Sequence, residues 1–432
     1  MATSLKTQDL GKPLLDSGSR SVNFFNGRLL TANDLRREQE ARNTADRWLG
    51  QAVGDGVAFG LEVRKHAHSS AEVPIVSVEA GLAVNRDGQA LHLKAQTAVS
   101  LVRQAKDTGV AMEGATFAQC GGLTGGLYRA GPGLYLFTIA PARAAEGKAP
   151  TTGFDPFGGK CNTDAIVDTV QFRLISLESQ LADVDLANED KLRNAIAYRC
   201  FGAGDLTWFP ADPLGTDFSK YGLLDELAAN VLTPCDVPLA LLYWTLTGGL
   251  RFVDMWAVRR RITPRPSTEF SWLTDERRSS EGRAMFLQFE DHVRAVLTAA
   301  GGPVRAVDRF THLPSAGILP APGDERAAKA AAQRFFETLT TRGPFFIEGA
   351  RLEPLLRMSF AYPPIDLKSG EVIWLYWVRE NRQSIAQRLT PASRGCLVFA
   401  SGHMPYAADA RFNLSKWDYA NVALDATGKP GG

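Results

Sequence analysis

The sequence is short of the residues from which metal and catalytic centres are usually assembled. Its five cysteines, Cys120, Cys161, Cys200, Cys235 and Cys396, are odd in number and contain no Cys-x-x-Cys pair. That spacing argues against a zinc cage or a disulfide framework and predicts buried thiols. Charge of one sign is also missing: Lys plus Arg is 48 against 47 for Asp plus Glu, a net charge of +1. A balanced chain has no global field to draw in a polyanion, so a nucleic-acid partner is not expected. Long apolar runs are absent too. The longest, VPLALLYWTLTGGL from Val237, is too short and too interrupted to span a bilayer. The opening residues MATSLKTQDLGKPLL have no secretion-signal core, which predicts synthesis and folding in the cytoplasm.

Chemical motifs fail on inspection. GFDPFGGKC looks like a phosphate-cradling loop, but an extra glycine shifts Lys160 out of register, and Cys161 stands where a magnesium-binding hydroxyl is needed. His66 and His68 would share one side of a strand but lack a third ligand nearby. The acidic stretch Asp183 to Asp190 lacks the glycine and terminal Glu of a calcium loop, and reads as a helix start. No two carboxylates are singled out for glycoside cleavage. No catalytic residue, cofactor or metal is therefore assigned. Trp244, Trp256, Trp374, Trp377 and Trp417 sit mostly in apolar strands and read as core or interface rather than as a sugar platform.

What is present is pattern. With 45% hydrophobic and 22% charged residues the chain is globular, and its length calls for more than one core. Residues 1–22 read as an extended arm. In NFFNGRLLTANDLRREQEA, Asn26-Gly27 supplies a turn, and Thr31 with Asp34 makes a capping box for a charged helix reaching about Leu49. Phe24, Phe25, Leu29 and Leu30 form an apolar plug whose burial is worth roughly 6–10 kcal/mol before entropy. The plug either closes the chain's own first core or docks on a neighbour.

Strands are expected at 54–63, at 75–84 and 90–93 around the turn Asn85-Arg86-Asp87-Gly88, at 134–140 and at 168–178. A helix capped by Asn188 should end near Cys200. The pair DVPLALLYWT and GGLRFVDMWAVRRRI, apolar on both faces, predicts a sheet covered on both sides. Arg259 to Arg261 reads as a solvated strand end or an interchain salt-bridge site. Residues 118–160 and FTHLPSAGILPAPG (310–323) read as loops apart from the strand at 134–140. Helices at 281–299 and 324–338, strands in GPFFIEG and EVIWLYWVREN, and a loose tail after 403 complete the chain. The expected class is α+β and multidomain. A β-rich domain with an N-terminal helix covers 23–265, with room for a subdivision near 110–165. A mixed α/β unit covers 266–432, the boundary falling at TPRPS.

The order of these segments carries more information than any one of them. FFNGRLLTANDLRREQ, then GDGVAFGLEV, then VSVEAGLAVNRDGQALHL resembles a family of structural and adaptor proteins of phage-tail-like contractile injection systems. VPLALLYW…GGLRFVDMWAVRRR and HLPSAGILP resemble later segments of the same family, whereas Glu79-Ala80-Gly81-Leu82-Ala83 departs from its pattern at a proline. The resemblance implies a non-enzymatic subunit at or around the baseplate, partnered by other particle subunits and by further copies of itself. It implies cytoplasmic assembly, and an extracellular location only within a released particle. Phe24, Phe25, Leu29, Leu30, Trp374 and Trp377 are the candidate interface residues. The competing expectations are a phage-type cell-wall hydrolase, which needs converging acids or a metal, and a carbohydrate-binding tip module, which needs exposed tryptophan faces.

Overall fold

The computed structural model describes residues 19–102, 131–150, 161–181, 184, 188–203, 222–263, 276–300, 304–320, 325–379 and 396–404. Most of the N-terminal arm, the GFDPFGG loop, half of the acidic stretch, residues 264–267 of the TPRPS boundary, Trp417 and the tail beyond 404 lie outside the described residues. The fold is mixed α+β, with several small sheets.

The N-terminal part is one helix and two three-stranded sheets. Helix α1 covers Ala32–Val53 and opens on the expected capping box of Thr31 and Asp34. Strand β1 (Gly56–Gly60) pairs with β4 (Gly81–Val84), which forms a hairpin with β5 (Ala90–Leu93). The Asn85 carboxamide builds that hairpin's turn, its Oδ1 accepting from the backbone N–H groups of Asp87 and Gln89. Strand β3 (Ile75–Val78) does not join this hairpin. It pairs instead with β2 (Val63–Lys65) and β6 (Thr97–Ser100). The chain crosses from one sheet to the other at Gly60 and Leu61, where both residues have positive φ and Leu61 is fully buried.

The centre is the sheet β10-β9-β7-β8. Strands β9 (Val237–Thr245) and β10 (Gly249–Asp254) pair as expected, and apolar side chains cover both faces. On one face Leu134, Leu136 and Leu241 pack against α2 (Glu189–Cys200), α3 (Leu223–Asn230) and the start of α4 (Glu276–Ala299). On the other, Phe137, Ile139, Leu242 and Trp244 pack against the N-terminal sheets through Val57, Leu61, Val76 and Leu91. Strands β7 (Gly133–Pro150) and β8 (Cys161–Ser176) run on well past this sheet, so the loop expected through 141–150 is corrected to a strand.

The C-terminal part holds α5 (Ala306–Arg309), α6 (Glu325–Phe335) and α7 (Leu352–Ser359). Its main sheet has the order β12-β16-β15-β13, made of Ala316–Leu319, Cys396–Ser401, Ile373–Arg379 and Thr341–Glu348. The segment read as a loop at 310–323 therefore contributes β12. It also supplies β11 (His312–Leu313), paired with β14 (Ile365–Asp366), because Leu313, Ala316 and Leu319 are core residues. Helix α4 serves two cores: Ala284 and Met285 pack with Tyr198 and Ala257, while Phe289 and Val293 pack with Leu375 and Phe399.

Candidate interaction surface

The opening hook is held together by polar contacts made within it. Asn26-Gly27 forms the turn, with Gly27 at φ +88 and the Arg28 N–H donating to the Phe25 carbonyl at 3.2 Å. The Arg28 guanidinium then ties three points, lying over the Phe25 ring and donating to the Asn23 carbonyl (2.8 Å) and the Asp34 carboxylate (2.7 Å). Hydrogen bonds from the Thr31 backbone and hydroxyl, with Arg28 beside them, lower the Asp34 carboxyl to about 2. The conformation is thus fixed chiefly by polar contacts, with Phe25 alone of the four apolar side chains taking part, through its ring beneath Arg28.

Those side chains face outward. Phe24 is 54%, Phe25 62%, Leu29 89% and Leu30 54% exposed. The expectation that the plug closes the chain's own first core is overturned. The residues that pack in that core are Val57, Leu61, Val76 and their neighbours, and none belongs to the hook.

Helix α1 adds exposed apolar side chains at its two ends. Leu35, Trp48, Leu49 and Val53 are all exposed large hydrophobics, as is Phe59 on β1. The face it turns inward is small or polar: Glu38, Ala41, Thr44, Arg47 and Gly50 are half-buried, and Asp34 is its sole buried residue. Its attachment lies at the last turns. A Cβ on Gly50 would come within 2.1 Å of the Gly88 carbonyl oxygen, and one on Gly88 within 2.0 Å of the Arg47 carbonyl oxygen. Beside this crossing Gln51 donates to the Asp87 carbonyl. A helix of 22 residues is about 33 Å long, so the hook is held far from this anchor.

The remaining sequence candidates fall elsewhere. Trp377 is 3% exposed in the core formed with α4 and α6, and Trp374 is half-buried on the α7 side. Both belong to a strand whose sheet is covered on each face, so alternation sends them into opposite cores; Trp377 in particular is core rather than accessible surface. Trp244 is buried, its Nε1 donating to the Ala71 carbonyl at 3.0 Å. His66 and His68 lie beyond β2 rather than on it, and the His66 Nδ1 accepts from the His68 backbone N–H.

Arg259 and Arg260 of the arginine run turn back onto the chain itself, whereas Arg261 is exposed. Arg259 donates to the Gly60 carbonyl at 2.6 Å, and Arg260 donates to the carbonyls of Trp256 and Ala257 while stacking on Phe201. The Val57 N–H donates to the Arg260 carbonyl at 2.8 Å, tying β1 to the segment after β10.

Two further features escaped the sequence reading. Cys235 is disulfide-bonded, which corrects the expectation of thiols throughout; Cys200 and Cys396 are free. A buried polar cluster also joins α2, β10 and α4. Asp254, fully buried, accepts from Arg193 (2.7 Å), Gln288 (2.9 Å) and the Ala257 N–H (3.0 Å), and Arg193 also binds Asp291 at 2.6 Å. Burial works to raise the Asp254 carboxyl, but Arg193 and these donors hold it below the usual range. An acid pinned in this way is an ion-pair strut between elements, not a proton carrier. Burial pushes the nearby His292 imidazole down to about 3 and the Glu290 carboxyl up to about 7. Among the described residues, no group of three or more His, Cys, Asp and Glu is placed to hold a metal ion. No described helix is long and apolar enough to cross a membrane.

No protein-family model matches the sequence, and a search of curated proteins returns no match.

Proposed function

We propose that this chain is a non-enzymatic subunit of a phage-tail-like contractile injection particle. In this reading it sits at or around the baseplate and acts through protein–protein interfaces, with copies of itself and with other subunits. One observation carries it: the hook exposes four large apolar side chains at the start of a helix whose anchoring contacts, among the described residues, lie at its other end. An isolated helix of this length is marginal in water, and among the described residues its closest contacts with the rest of the chain are at its last turns. Four exposed large apolar side chains within seven residues, held in shape by a chiefly polar frame, suit a surface that another protein covers. The family resemblance of the opening segments supplies the kind of assembly. The carbohydrate-binding alternative would need open tryptophan faces, and the burial of Trp244 and Trp377 weighs against it.

The test replaces Phe25 and Leu29 by aspartate. Both side chains are more than half exposed, so circular dichroism and the melting temperature should hold within a few degrees. Co-sedimentation with assembled particles should fall by about tenfold or more, the size expected when central apolar anchors are lost. Undiminished incorporation of the folded variant would remove the reading.

A further inference from the structure

The two long central strands leave the body of the protein as a bare ribbon. Strand β7 pairs with β9 from Gly133 to Ile139 and with β8 along almost its whole length, Tyr135 to Pro150. Beyond residue 140 the ribbon is therefore two strands wide, about 30 Å long, and open along both edges among the described residues. Both faces are open as well: residues 143–148 and 163–169 are exposed, Ile166 at 70%. The root is firm. Arg173 donates to both carboxylate oxygens of Asp236 (2.7 and 2.6 Å), and Thr138 donates to the same carboxylate at 3.1 Å.

Such a ribbon does not explain its own order. A lone two-stranded pair is at best marginal in water, and Ala142, Ala144, Ala145, Ala149 and Ala165 are weak strand formers. Its unpaired N–H and C=O groups are a template for one chemistry, another strand.

We propose that the β7 edge from 145 to 149 pairs antiparallel with the same edge of a second copy, giving a four-stranded sheet β8-β7-β7-β8 across a two-fold axis at Gly147. In that register Gly147 faces its own counterpart, and Glu146 of each copy faces Lys148 of the other on one side of the sheet. Ala145 faces Ala149, two small side chains that leave the backbones free to close. Glu146 and Lys148 are exposed and have no charged partner among the described residues. The pairing therefore gives each an opposite charge, and does so twice by symmetry. The β8 edge offers no equivalent: from 161 to 172 it contains Asp164 and Asp168 and no Lys or Arg.

This inference deepens the self-association within the proposed function, and it is tested apart from the particle. Sedimentation equilibrium of the full chain is compared for wild type, Glu146→Lys, Lys148→Glu and the double swap. Wild type should self-associate in a concentration-dependent way. Each single variant sets like charges face to face twice and should weaken association by about tenfold. The double swap should restore it to near wild type, which a general effect of charge or a partner of another sequence would not do. A wild type monomeric at its highest soluble concentration, single variants that associate unchanged, or a double swap that stays weak would each overturn the proposal. If it fails while the Phe25 and Leu29 variants still lose incorporation, the particle reading stands and only the self-pairing falls.

Discussion

At the scale of single residues, two titrating groups of α4, His292 and Glu290, are shifted so that they pull in opposite directions. The His292 imidazole is lowered from 6.5 to about 3, first by burial and then by Arg193 and Arg309, with Asp254 opposing. The unfolded chain takes up that proton as pH falls through 6.5, while the folded chain resists until about 3. Stability therefore drops with falling pH across that window, by up to about 1.4 kcal/mol per pH unit. Glu290 is raised from 4.5 to about 7 by burial, against the Ile318 N–H and Arg294. Its folded state favours the neutral acid, so the contribution is complete below 4.5 and is lost as pH rises through 7. Between 4.5 and 6.5 the two oppose each other. Urea unfolding over pH 3–8 should show a shallower acid limb for His292→Gln, and for Glu290→Gln, which loses the opposing slope, a stability that rises more steeply with pH between 4.5 and 6.5. An acid limb identical to wild type in His292→Gln would contradict the burial of that imidazole.

Elements show where the sequence could be read and where it could not. The Thr31–Asp34 capping box, the Asn188 cap, the Asn85 turn and the β9–β10 pair were legible because each is decided by neighbours in sequence. The two-faced burial of β9 was legible as well, since its apolar run leaves no polar face to expose. Residues 141–150 were read as loop because alanine, proline and glycine carry no strand preference. Their strand comes from β8, through pairs such as Arg143 with Asp168 at 2.7 Å. The Arg259 and Arg260 clamp was illegible for the same reason, its acceptors lying at Gly60 and in the turn after β10. The outward direction of the hook could not be read either, because two Phe and two Leu fit a core as well as an interface. Helix α1 makes the next prediction. Gly88→Ala drives a Cβ into the Arg47 carbonyl at a positive-φ site, so the last turns of α1 must lift away. Amide exchange in residues 44–53 should rise several-fold while that of β9 stays unchanged. Equal exchange in both segments would mean the helix is held elsewhere.

For the whole molecule, the described residues pack into four hydrophobic cores. Helix α4 gives side chains to two of them, and the Arg193–Asp254–Gln288 cluster lies at their junction. The disulfide of Cys235 acts at the same scale. One bridge among five cysteines leaves three thiols, so denaturation without reductant followed by alkylation should label three, and five after reduction. Five labelled without reductant would show the bridge absent. In the native protein Cys200 should react slowly, its thiol pushed up to about 12 chiefly by burial. A bridge of this kind persists in oxidising surroundings and is opened where glutathione keeps thiols reduced.

The tie between β1 and the arginine segment also imposes an order of events during translation. Gly60 waits for a partner 199 positions later, and Asp55 and Val57 form bridges with Thr263 and Arg261. On a ribosome, the outer edge of that strand stays bare until more than half of the polypeptide has emerged. A truncated product ending before Arg259 would expose this edge together with the apolar hook, and would be a natural substrate for chaperones and proteases.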